Sequence, residues 1–116
     1  MAQRAVTQSQ EHSNFNLNTY QGTVTLSGDA GGLLTFADLL NAAAKKGLVV
    51  AGGADGSIQL KTAATPNQEV LVLRLGPLTI ISGPQEEFQI LETELRKVAE
   101  SGQKRSYKKF AIQLKV

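Results

Sequence analysis

The chain predicts an α+β fold: a mainly antiparallel sheet of five or six strands with two helices packed on one face, in the order β-α-β-β-β-β-α-β. Three observations carry this reading. Two segments repeat apolar residues at helical spacing, several others alternate apolar and polar residues, and glycine, proline or Asp-Gly separates them. With 116 residues, 41% of them hydrophobic and 19% charged, the chain has the material for one two-layer core.

Residues 1–14 read as a flexible tail or arm ahead of a single domain over 15–116. The amides Gln3, Gln8, Gln10 and Asn14 crowd this stretch, and Met1 and Val6 are its sizeable apolar side chains. That is too little burial to offset the entropy of ordering the segment. It also lacks the apolar centre of a secretory signal. Over 20–27, Gly22, Val24 and Leu26 interleave with Gln21, Thr23 and Thr25, the period of a half-buried strand. The run Gly28-Asp29-Ala30-Gly31-Gly32 breaks it. A first helix follows, with Thr35 as N-cap and Asp38 three residues on, a shortened capping box. Phe36, Leu39, Leu40, Ala43 and Ala44 form its apolar stripe. Lys45 and Lys46 suit the negative end of its dipole, and Gly47 supplies a left-handed cap.

Residues 48–51 and 57–62 read as a hairpin around Asp55-Gly56, a strong two-residue turn signal. Thr65-Pro66-Asn67-Gln68 is a loop. Residues 69–75 and 78–82 form the next pair around Gly76-Pro77, where glycine at the first central position fits a type II′ turn and proline cannot donate to a ladder. One bent strand is the alternative. Pro84 opens the second helix with Glu86 and Glu87 in its first turn. Phe88, Leu91, Leu95 and Val98 are its stripe, Arg96 and Lys97 lie near its end, and Gly102 closes it. In the last strand, 109–116, Phe110, Ile112, Leu114 and Val116 alternate with Ala111, Gln113 and Lys115. The resemblance of GDAGGLL to GGADGSI is that of two glycine turns, and no longer internal repeat is expected.

Most chemistry is excluded by residues the chain lacks. It has no cysteine and a single histidine, His12 in the tail. Thiolate zinc sites, iron–sulfur ligation and relays of serine or cysteine with histidine are therefore out. Outside the helices the acids are Asp29, Asp55 and Glu69, each in or beside a turn where carboxylates serve backbone geometry. The glycines before the first helix lack the spacing of a dinucleotide loop and the lysine of a P-loop. Residues 52–56 lack the acidic series of a calcium loop. No catalytic, metal or cofactor-binding residue is expected, and no enzymatic activity. The longest apolar stretches, 48–51 and 70–73, fall far short of a membrane span.

Two signals remain. Residues 1–95 carry Arg4, Lys45, Lys46, Lys61 and Arg74 against nine acids, whereas 96–116 carry Arg96, Lys97, Lys104, Arg105, Lys108, Lys109 and Lys115 against Glu100. The stretch QKRSYKK, with Tyr107 between basic pairs, has the make-up of a loop that grips phosphates and stacks a base. Its bland counterpart is a solvated helix end, and a formal charge of +2 favours that reading. The second signal is apolar surplus. In VLVLRL, Leu71, Leu73 and Leu75 point one way and Val70, Val72 and Arg74 the other, while Ile80 and Ile81 also face opposite sides. Two helices cover one face of such a sheet, so the other is expected to be an interface unless the sheet curls over itself.

The expectation is a small, soluble, cytoplasmic binding or assembly module that works by protein–protein contact, as a homo-oligomer or a subunit of a larger complex. Val70, Val72, Arg74 and Ile81 are its expected contacts. The alternative is nucleic-acid binding through Arg96, Lys97, Lys104, Arg105, Tyr107, Lys108 and Lys109.

Overall fold

A computed structural model describes residues 15–53 and 56–115, in which the chain runs through the order β-β-α-β-β twice. The first pass comprises β1 (Phe15–Tyr20), β2 (Thr23–Gly28), α1 (Ala30–Lys46), β3 (Leu48–Gly53) and β4 (Gly56–Thr62). A short 3-10 turn, Pro66–Gln68, leads to the second. There β5 (Leu71–Leu75), β6 (Leu78–Gly83), α2 (Gln85–Ser101), β7 (Arg105–Tyr107) and β8 (Phe110–Leu114) follow. The expected tail over 1–14 and the expected turn residue Asp55 lie outside the described residues.

The α+β class and both helices stand, but the single antiparallel sheet does not. Two four-stranded mixed sheets form, ordered β1-β2-β8-β7 and β3-β4-β6-β5. Each is made of two antiparallel hairpins joined by a parallel central pair, β2 with β8 and β4 with β6. Hairpins announce themselves through turn residues. A parallel join between segments far apart in the chain leaves no local signature, and the single-sheet expectation failed there.

The internal repeat that the sequence was expected to lack is present as well. The register Asn16↔Ser27 to Tyr20↔Thr23 in the first hairpin recurs as Leu71↔Ser82 to Leu75↔Leu78 in the third. One constant spacing relates Ser27 to Ser82, Gly28 to Gly83, Leu40 to Leu95, Ala44 to Ala99 and Gly47 to Gly102. Gly47 and Gly102 both take positive φ at the end of their helix, and each donates its N–H to the carbonyl four residues back, that of Ala43 or Val98.

The chain divides into two compact units. One holds the described residues up to Ala37 and from Thr93 onward, and with them the β1-β2-β8-β7 sheet, the start of α1 and the end of α2. Its buried side chains include Val24, Leu26, Ser27, Leu33, Phe36, Ala37, Leu95, Val98, Phe110 and Ile112. The rings of Phe15 and Phe36 stack with centroids 4.4 Å apart. Helix α1 begins at Ala30, six residues before the Phe36 that an N-cap at Thr35 would give. Asp29 is its cap, accepting a 2.7 Å hydrogen bond from the N–H of Gly32 through its Oδ1. That bond and the burial of Leu33 offset the cost of two glycines in the first turn.

The other unit spans Asp38–Glu92 and contains the β3-β4-β6-β5 sheet. Leu40, Ala43, Leu60, Val70, Ile81, Phe88 and Leu91 are buried in it. Gln85 at the start of α2 donates from Nε2 to the Ala44 carbonyl near the end of α1, 2.7 Å away. The expected II′ turn forms, with Gly76 at φ +62° between paired Leu75 and Leu78. Gly56 is held for a different reason. A Cβ there would sit 2.4 Å from the Pro77 carbonyl oxygen, which accepts the N–H of Ser57.

Candidate binding faces

The strand pairing sorts each sheet into a face that carries the buried side chains and an outer face. In the β3-β4-β6-β5 sheet, the outer positions of β5 are Leu71, Leu73 and Leu75, exposed by 41%, 53% and 53%. Their partners on β6 are Ser82, Ile80 and Leu78. Beyond the polar β4 positions Lys61, Gln59 and Ser57, β3 adds Leu48 and Val50, exposed by 49% and 63%. The apolar row over β5 and β6 and the apolar pair on β3 are divided by the polar β4 row, with Lys61 as the one charge on this face, and exposed apolar patches mark interaction sites.

The expected contact residues lie on the wrong side of this sheet. Val70 and Ile81 are buried, and Val72 is half-buried on the same face. The apolar surplus is real, but it sits on the leucine row and not on the valine row. Arg74 explains the inversion. A charged side chain argues that its face is solvated, yet Arg74 lies near the end of an edge strand, where it is exposed although it shares the core-side row with Val70.

The β1-β2-β8-β7 sheet presents the opposite chemistry. Its outer row holds Asn16, Asn18 and Tyr20 on β1, Thr23 and Thr25 on β2, Ala111 and Gln113 on β8, and Ser106 on β7; Ser27, in the same row of β2, is buried, and Thr25, Ala111 and Gln113 are half-buried. Tyr20 is 74% exposed. No carboxylate occurs in these four strands. The repeat makes the contrast informative, because Asn16, Asn18, Tyr20, Thr23 and Thr25 hold the positions that Leu71, Leu73, Leu75, Leu78 and Ile80 hold in the other sheet. Polar residues satisfy the backbone in those positions. The fold itself therefore does not require the leucines.

The basic stretch is not one loop. Arg105 and Tyr107 belong to β7, and Lys108 and Lys109 form the two-residue turn into β8. Within it, Lys108 lies with its Nζ 5.3 Å from the centroid of the Tyr107 ring. Arg96 and Lys97 are on α2. Glu94 bonds the Arg105 guanidinium and also sits 3.9 Å from the Lys97 ammonium. Its hydrogen bond and charge raise the pKa of Arg105. Two of the seven expected nucleic-acid contacts are thus engaged by one carboxylate, and Lys104 stands just ahead of β7.

Among the described residues, no group of three or more His, Asp or Glu is placed to hold a metal, and no helix is long and apolar enough to cross a membrane. No family model matches the chain, and no curated protein matches it in sequence.

Proposed function

We propose that this chain is a small, non-enzymatic assembly module of the cytoplasm, whose outer β3-β4-β6-β5 face docks on a second copy of itself. The observation that carries this reading is the exposed row Leu71, Leu73 and Leu75, in positions that hold Asn16, Asn18 and Tyr20 in the sister sheet. Exposed leucines that the backbone does not require are explained by a partner that covers them. Charge favours a second copy as that partner. A two-fold interface sets each patch against itself, so like charges within it repel, and this face holds only Lys61, two strands away from the leucine row.

Light scattering across a size-exclusion peak tests the proposal. The wild-type chain is expected at twice its 12.4 kDa mass. Leu73→Glu is expected at the monomer mass with an unchanged far-ultraviolet circular dichroism spectrum, because the side chain is exposed within its own chain. A wild-type monomer at every concentration overturns the homodimer and moves the proposal to a different partner protein. A variant that unfolds shows instead that Leu73 is core.

A further inference from the structure

We infer that the open edge of β3 is a second docking surface, which pairs antiparallel with β3 of another copy and joins face-docked pairs into larger assemblies. The β3-β4 ladder fixes which backbone groups are open. The N–H of Thr62 donates to the Gly47 carbonyl at 2.9 Å, so by alternation Gly47, Val49, Ala51 and Gly53 turn their backbone groups to β4. Those of Leu48, Val50 and Gly52 point the other way. Strand β3 ends its sheet, and among the described residues no other backbone group bonds to that row. The side chains leave it open too, since Leu48, Val50 and Gly52 are all exposed.

Such an edge is a template for another strand, and the remaining edges show how this fold refuses one. Strand β7 follows α2 as β3 follows α1, yet it has three residues and stands among Lys104, Arg105, Lys108 and Lys109. Strand β5 carries Arg74. Strand β1 is uncharged, but the backbone of Leu17 in its middle already has a partner. Strand β3 reads LVVAGG, six residues without a charge or a proline. The repeat therefore does not impose this bare edge.

The register makes a second copy the fitting partner. Open residues must face open residues, and a two-fold axis at Val50 sets Val50 against its own copy, Leu48 against Gly52 and Val49 against Ala51. Every opposed side chain is apolar, no like charges meet, and the central β-branched pair suits a sheet. About six backbone hydrogen bonds form, two for each opposed pair of open residues. The axis stands normal to the sheet, so the leucine row on β5, at the opposite edge, remains available for face docking. Face docking sets only the size of the assembly; the seam itself does not depend on it.

Light scattering of the full chain over a concentration series tests the seam. One strand pair is weak by itself, so the wild type is expected at twice its 12.4 kDa mass when dilute and beyond that as concentration rises. Val50→Pro removes an open N–H and no bond of the β3-β4 ladder, and is expected to stay at twice the chain mass throughout, with an unchanged circular dichroism spectrum. Val50→Lys sets like charges across the axis with the leucine row intact, and is expected to do the same, so the result does not hang on the proline. Leu73→Glu, left with the seam alone, is expected to move from one chain mass to two. A wild type fixed at twice the chain mass overturns the seam and leaves the leucine face standing. A rise with concentration that both Val50 variants retain overturns the seam as well. Leu73→Glu matching the wild type at each concentration overturns the leucine face and leaves the seam, whereas a wild type that stays at one chain mass overturns both.

Discussion

Asp29 shows how a single side chain decides where an element begins. Its Oδ1 takes the N–H of Gly32, one of the orphan donors at the start of α1, and its own carbonyl takes that of Leu33, 2.9 Å away, as the first bond of the helix ladder. Replacing it with alanine is expected to cost about 1 kcal/mol in urea denaturation, the usual loss of an N-cap. Thr35→Ala, in the second turn of the same helix and exposed, is expected to change stability by less than about 0.5 kcal/mol. A reversal of the two would return the cap to Thr35. The sequence misled here because Gly31-Gly32 resembles a breaker, and glycine does break helices where nothing supports it. At the first turn, with a carboxylate reaching forward to the third N–H, the same pair is tolerated. At the end of the helix the physics was local and legible: Lys45 and Lys46 in the last turn, then Gly47 at φ +90°, stop α1 where the sequence says they should.

At the scale of elements, β5 and β6 are where pattern and placement part. Period-two alternation correctly separates Leu71, Leu73 and Leu75 from Val70, Val72 and Arg74, but it cannot say which row meets the core when both are apolar. The structure answers with burial, and the energetic difference should be large. Ile81→Ala, which empties a buried site on the core-side row, is expected to cost about 2–5 kcal/mol in the denaturant midpoint analysis. Leu73→Ala, one row over and half exposed, should cost far less in the isolated chain. Equal losses would mean that both faces are core and that the sheet is covered on each side. Strand β1 was missed for a related reason. Asn16 and Asn18 are poor advertisements for a strand, yet they occupy exposed positions while Phe15 and Leu17 on the other side are half-buried.

At the scale of the molecule, the repeat ties folding to partner choice within the chain. Neither pass through β-β-α-β-β completes a sheet: β1 and β2 need β8 and β7, while β3 and β4 need β6 and β5. A pass on its own holds two separate hairpins, and an isolated two-stranded hairpin is at best marginally stable in water. Among the strand pairings, the parallel joins β2 with β8 and β4 with β6 have the longest sequence separation, so they carry a loop-closure cost that the hairpins avoid. This is also why the sequence named the hairpins and not the sheets. Turn residues are neighbours in the chain, and the joining strands are not. A fragment of residues 1–64 and another of 65–116 are therefore each expected to lack a cooperative thermal transition when measured alone by circular dichroism. Mixed in equal amounts, they are expected to regain strand signal and one sigmoidal unfolding curve whose midpoint rises with concentration, as an association linked to folding requires. Cooperative melting of either fragment as a monomer would show that a single pass can bury its own core and that the parallel joins merely decorate it.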